Sequence, residues 1–174
     1  MDIVIKFEAI MSKTTVIELF KDDMKFCAGH FTVFSATERE HLHGHNFGVY
    51  AALTAQLNDN GMAFDYDIYK EKIRLLCKSI GHVFLLAGKS PYLRIEDAGE
   101  YYNVFFNHEK IPFLKSDAKI LPLRNITVEE LAIWFVEQLT TDPKELEQYE
   151  ISAITIKIYS APGQCGSATW EKTK

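Results

Sequence analysis

Near the end of the chain apolar residues recur at every second position, with Ile154, Ile156 and Ile158 set against Thr155, Lys157 and Tyr159. A period of two puts one set on one face of a strand, so Ile151 to Tyr159 reads as a half-buried strand. The stretch from His43 to about Leu57 is rich in strand formers and reads as another. Upstream, residues 14–35 carry β-branched and aromatic runs, which predict a strand pair or one long bent strand ending near His30. The polar segment Phe34 to Leu42 predicts a loop. Asn58-Asp59-Asn60-Gly61 is a turn signal, followed by a short extended piece at Met62-Ala63-Phe64.

In two places the period becomes that of a helix. Ile68, Tyr69, Ile73, Leu76, Cys77 and Ile80 share a helical face, with Asp65 or Asp67 as the cap and Gly81 as the end. Thr127, with Glu130 three residues on, forms a capping box for a helix from Val128 to about Thr140, whose apolar face is Leu131, Trp134, Phe135 and Leu139. Thr141-Asp142-Pro143 stops it, and Lys144 to Tyr149 adds a short turn. Between the helices, Tyr92 to Ile95 and Tyr102 to Phe106 flank Asp97-Ala98-Gly99-Glu100 in a hairpin pattern, continued by short edges at Ile111 to Phe113 and Ile120 to Leu123. Ala161 to Gln164 is a loop before a last strand at Ala168-Thr169-Trp170. This order predicts a single α+β domain over 1–174, an antiparallel sheet with two helices on one face and an inserted hairpin at about 90–122.

Composition narrows the function classes. The chain has 174 residues, enough to bury a core, and a formal net charge of −5 without a basic block, which disfavours nucleic acid as a partner. Three widely spaced cysteines, Cys27, Cys77 and Cys165, argue against a disulfide framework and suit a reducing, cytoplasmic setting. No run of about 18 apolar residues predicts a membrane span. The start, Met1 to Lys6, lacks the features of a secretory leader.

The chemistry concentrates in His41-Leu42-His43-Gly44-His45-Asn46. On a strand, His43 and His45 point to one face and can reach one metal ion. A zinc site with three protein ligands and an open position needs a third nitrogen, for which His30 and His41 are the nearby candidates. Without that third ligand, the pair is a polar strand face. Cys27 and His30 are spaced C-x-x-H, but residues three apart on a strand face opposite ways. Cys77 sits on an apolar helix face and reads as core.

Four motifs in order carry a resemblance. Phe26-Cys27-Ala28-Gly29-His30, His43-Gly44-His45-Asn46-Phe47, Gly61-Met62-Ala63-Phe64-Asp65-Tyr66 and Thr127-Val128-Glu129-Glu130-Leu131-Ala132 together resemble the 6-pyruvoyl-tetrahydropterin synthase and 6-carboxytetrahydropterin synthase family, from about Phe26 to Trp170. The resemblance implies a tunnelling fold (T-fold), assembled as a homohexamer of two trimers with sites between subunits. It implies Zn2+ on His30, His43 and His45, with His41 on the loop side. It implies a small pterin-like substrate, dihydroneopterin triphosphate or a relative, with Thr127 and Glu129 as substrate-binding residues.

Three positions depart from the family pattern. Arg39 stands where the family has a nucleophile-like cysteine, and Glu40 matches a branch that uses a glutamate just ahead of x-Leu-His-Gly-His. Ile80-Gly81-His82 replaces Leu-Asp-His, which keeps the histidine and loses its aspartate. No carboxylate lies between Ile158 and Ser160, where a ring-gripping glutamate is expected. Glu40 is then the candidate base and His82 the candidate proton shuttle. As bare sequence features they are a solvated loop carboxylate and a helix-end histidine. The expected activity is a zinc-dependent lyase with altered acid/base groups; the alternative is a zinc-containing binding protein of the same fold that has lost or changed the reaction.

Overall fold

The computed structural model describes residues 13–173, so the expectation for Met1 to Lys6 lies outside the described residues. Among the described residues ten strands and three helices follow in the order β1 (Thr14–Leu19), β2 (Lys25–His30), β3 (His43–Gln56), α1 (Asp67–Ile80), β4 (Phe84–Ala87), β5 (Leu93–Ala98), β6 (Tyr101–Phe106), β7 (Glu109–Leu114), β8 (Ala118–Leu121), α2 (Val128–Leu139), α3 (Pro143–Gln148), β9 (Ile151–Ala161) and β10 (Gln164–Glu171). The early runs form two separate strands, each paired with β3 and not with the other, rather than a strand pair or one bent strand. Lys144 to Tyr149 carries the short helix α3. Among the described residues no helix is long and apolar enough to cross a membrane.

The large sheet has the order β10-β9-β3-β2-β4-β8, and β1 also pairs with β3. β3 is its axis. Val49, Ala51, Leu53 and Ala55 on one face are fully buried, while the residues between them are only half-buried. That alternation fixes the register, because a slip of one residue would turn the apolar set to solvent. The buried face meets Ile154, Ile156 and Ile158 of β9, Tyr69, Ile73 and Ile80 of α1, and Leu131 and Phe135 of α2 in one core. Both helices therefore cover the same face.

The sheet is not wholly antiparallel. β2 pairs with β4, and β4 with β8, in parallel. A parallel neighbour needs a long crossover: β3 and α1 make the one from β2 to β4, and the region between β4 and β8 makes the other. That region is a three-stranded antiparallel meander, β5-β6-β7, with Ile111-Pro112-Phe113 as its third strand rather than a loose edge. It has a small core of its own, Val104 and Phe106 packed with Phe31, Val33, Leu86 and Ala118.

Local details differ from expectation at α1. Its N-cap is Tyr66, without a side-chain cap bond, and Asp65 instead accepts from the N–H of Asp67 at 3.0 Å in a turn ahead of the helix. Gly81 after the helix is extended, and the left-handed residue is His82, with φ 61°. Gly81 is small for another reason: a Cβ there would stand 3.1 Å from the carbonyl oxygen of Cys77. At α2 the Thr127 hydroxyl accepts from the N–H of Glu130, as the capping box requires.

Candidate metal centre

β2 and β3 run antiparallel with His30 directly opposite His43 and Ala28 opposite His45. Directly opposed and diagonal side chains on one face of such a pair are neighbours. The three imidazoles consequently converge, and their nearest nitrogens all lie within 4.8 Å of one another. β9 pairs with β3 only from Gly48 onward, so the ligand-bearing end of β3 opens on that side into a cavity of about 240 Å³. His30, His43, His45, Glu40, Glu129 and Gln164 are among its walls.

Backbone carbonyls set the tautomers. A carbonyl only accepts, so Nδ1 of His30 donates to Ile126 O at 2.8 Å and Nδ1 of His43 donates to His41 O at 2.8 Å. Each ring then presents an unprotonated Nε2 to the centre, the arrangement that metal-binding histidines adopt. Nε2 of His30 has no hydrogen-bond partner although its residue is only 5% exposed. Burial pushes the His30 imidazole below its ordinary value of 6.5, only partly offset by the bond to Ile126, and His43 and His45 push the same way. A buried, neutral, orphaned nitrogen is costly unless something uses its lone pair. Nε2 of His43 and Nε2 of His45 are 3.2 Å apart. Two nitrogens held tetrahedrally by one ion at zinc distances stand about 3.3 Å apart. The donor set fits a metal ion. His41 contributes its carbonyl and not its ring.

Glu40 shares this cavity. Its Oε2 accepts from the N–H of Thr32 at 2.9 Å and lies 3.9 Å from Nε2 of His43. Desolvation pushes its carboxyl up, but the hydrogen bonds from the Thr32 side chain and N–H, with the neighbouring His43 and His30, outweigh that and hold it below 4.5. Thr127 and Glu129 at the start of α2, with Ser160 beyond β3, complete the wall. Gly166 lets α2 reach that position, since a Cβ there would meet the backbone of Val128 and Glu129 at 2.5 Å.

His82 lies elsewhere. It lines a separate cavity of about 550 Å³ with Cys27, Gly29, Phe84, Tyr101 and Asp117, and its N–H donates to Cys27 O at 2.7 Å. Cys27 and Gly29 occupy the face of β2 opposite to His30. Within one chain the structure thus brings Glu40, Thr127 and Glu129 to the histidines and does not bring His82.

Sequence reading missed two residues of the centre. Asn125 exchanges hydrogen bonds with both backbone groups of Val33, at 3.1 and 2.8 Å, and so holds the Ile126 carbonyl over His30. Its only local signal is its position two residues before the Thr127 cap. Gln164 reaches the cavity from the turn after β9, where a bulge between Gln164 and Cys165 shifts the register.

The family profile described as 6-pyruvoyl tetrahydropterin synthase matches residues 19–170. The chain belongs to this family. It is 26% identical over 144 residues to a Methanocaldococcus jannaschii protein provisionally named 6-carboxy-5,6,7,8-tetrahydropterin synthase, covering 81% of this chain and 86% of the relative. A Pyrococcus horikoshii protein of the same provisional name is 22% identical over 147 residues, covering 84% and 86%. Among solved structures, the 6-pyruvoyl tetrahydropterin synthase of Plasmodium falciparum superposes with a TM-score of 0.86 at 25% identity, covering 91% of this chain and 99% of that one. The Plasmodium vivax enzyme superposes with a TM-score of 0.87 at 24% identity, covering 92% and 99%. The architecture is that of the tunnelling fold.

Proposed function

We propose that this chain is a zinc-dependent lyase of the pterin family, a single pterin-synthase-like domain acting on dihydroneopterin triphosphate or a related dihydropterin. The observation that carries the reading is the placement of a carboxylate, Glu40, in the same cavity as three converging imidazoles, two of them with their tautomer fixed by a backbone carbonyl. His30, His43 and His45 would hold the zinc. Bound there, zinc supplies a Lewis acid that draws electrons from substrate hydroxyls and a neighbouring carbonyl.

The chain's own groups do the rest. Thr127 and Glu129 stand across the cavity from the histidines and bind the ring. Glu129 takes the place of the carboxylate missing from Ser160, accepting paired N–H donors. Glu40 is ionised at neutral pH and takes a proton from a side-chain hydroxyl. Loss of that proton favours cleavage of the adjacent carbon–carbon bond: the deprotonated hydroxyl carbon leaves as an aldehyde, the electron pair of the broken bond stays on the carbon attached to the ring, and that carbon takes a proton back from the Glu40 carboxyl to give a hydroxymethyl-dihydropterin. A Plasmodium vivax relative has been solved with its catalytic residue, a glutamate, replaced by alanine and by cysteine, which supports a glutamate in this role. His82 faces a different cavity, so it would serve as proton shuttle for a neighbouring copy in a homohexamer of two trimers.

One observation favours a second reading, a zinc-containing binding protein. Glu40 is held low, which weakens it as a base, and among the described residues the histidines lining the cavity are the three that would hold the ion. A product assay on zinc-loaded protein separates the two. Formation of hydroxymethyl-dihydropterin, abolished in Glu40→Gln, supports the lyase. A 6-pyruvoyl product, or full activity in Glu40→Gln, refutes the role of Glu40. No turnover of any dihydropterin, with binding retained, supports the binding protein.

A further inference from the structure

Arg39 does not enter the metal cavity. Its side chain, 16% exposed, turns the other way and lies between the rings of Phe31 and Phe106, with its guanidinium carbon 5.5 and 5.7 Å from their centroids. Nε and Nη2 both donate to Oε2 of Glu109, at 2.9 and 2.5 Å. Glu109 begins β7, immediately after the Asn107-His108 turn that closes the β6–β7 hairpin. The third nitrogen, Nη1, donates to the carbonyl oxygen of Glu40 at 2.8 Å. The planar guanidinium fork therefore ties two segments 70 residues apart to the backbone of the candidate base.

Glu40 is fixed on its other sides by β2's continuation. Its N–H donates to Thr32 O at 2.8 Å, and its carboxylate accepts from the N–H of Thr32. Arg39 itself bridges back to Val33. Every backbone polar group of Glu40 thus has a partner, and one of those partners is anchored on the inserted meander.

We propose that Arg39 and Glu109 are positioning residues for Glu40, and that the meander β5–β7 buttresses the loop that carries the base. A long loop carrying a catalytic group needs rigid support, because about 1 Å of misplacement can cost on the order of a hundredfold in rate. The meander supplies it through Glu109 and the ring of Phe106. The functional half of this inference rests on the proposed role of Glu40; the structural half does not.

The test uses the full, zinc-loaded chain with two variants. Arg39→Met keeps apolar volume between the two rings and removes all three hydrogen bonds. Glu109→Gln, at a side chain 55% exposed, removes only the ion pair and guards against a folding defect in the first. Amide exchange is read at Thr32 and Glu40, together with kcat, KM and zinc content. In Arg39→Met the two amides should exchange roughly tenfold faster or more, and kcat should fall roughly ten- to a hundredfold with KM and zinc content unchanged. Glu109→Gln should move both readouts the same way by less. Exchange at wild-type rates in Arg39→Met overturns the proposal. So does faster exchange with unchanged kcat while Glu40→Gln is inactive. Should Glu40→Gln retain full turnover, the role of Glu40 fails on its own, and the exchange rates alone decide whether Arg39 and Glu109 hold the loop.

Discussion

The histidine centre makes a prediction about stability that needs no substrate. A ligand that binds only the folded chain stabilises it by about 2.7 kcal/mol at a hundred times its dissociation constant. Unfolding entropy of about 2.1 cal/mol/K per residue, over 174 residues, converts this to a rise in Tm of about 7 °C. His43→Ala removes one of three donors. Losing an outer partner of a ligand already weakens metal binding ten- to a hundredfold, and losing a ligand costs at least as much. At the same zinc concentration a hundredfold weaker site is half filled, which leaves about 0.4 kcal/mol and a shift of about 1 °C. His41→Ala should keep the full shift, because His41 uses only its carbonyl, which alanine also has. The assay is thermal unfolding of chelator-treated protein with and without zinc, alongside metal analysis. A wild-type shift in His43→Ala, or its loss in His41→Ala, would refute the assignment of ligands.

Two further predictions come from the surroundings. The His30 imidazole is held below 6.5 in the fold, so the unfolded chain takes up its proton first as pH falls. In metal-free protein the stability is therefore full above about pH 6.5 and drops below it, at a slope approaching about 1.4 kcal/mol per pH unit for one proton; urea midpoints across this range should show the drop in the wild type and its loss in His30→Ala. Gly166→Ala drives a methyl group into the backbone of Val128 and Glu129 and should cost about 1–3 kcal/mol, whereas an alanine on the exposed flank of the same strand at Ser167 should be nearly silent in the same urea titration.

The elements with strong periods were legible. β3, β9 and α2 show clean alternation or a capped helical face, and the structure places them within a residue or two of expectation. The His-x-His pair read correctly because a strand's period of two alone decides where those rings point. The parallel pairing of β4 and β8 was not legible: Phe84 to Ala87 is a four-residue apolar run with no polar alternation to give a direction. Asn125 and Gln164 were missed because their meaning lies in partners far along the chain, Val33 being 92 residues from Asn125. Arg39 carried a sequence signal only as a replacement. Its contact with Glu109, 70 residues away at the start of β7, is invisible until the fold brings the two together.

The two cores have a consequence for how the molecule gives way on heating. Phe31 and Val33, one and three residues after His30, belong to the small core beneath the meander, while the candidate metal ligands stand at the edge of the large one. A core of six buried residues opens with less free energy than one of thirty. Between the two lies the loop of Glu40. Warming should therefore loosen the meander first, and, on the lyase reading, turnover should fade over a temperature range in which a bound ion is still held. Heat inactivation would then run ahead of metal release, and an inactivated sample cooled soon enough would recover without added zinc.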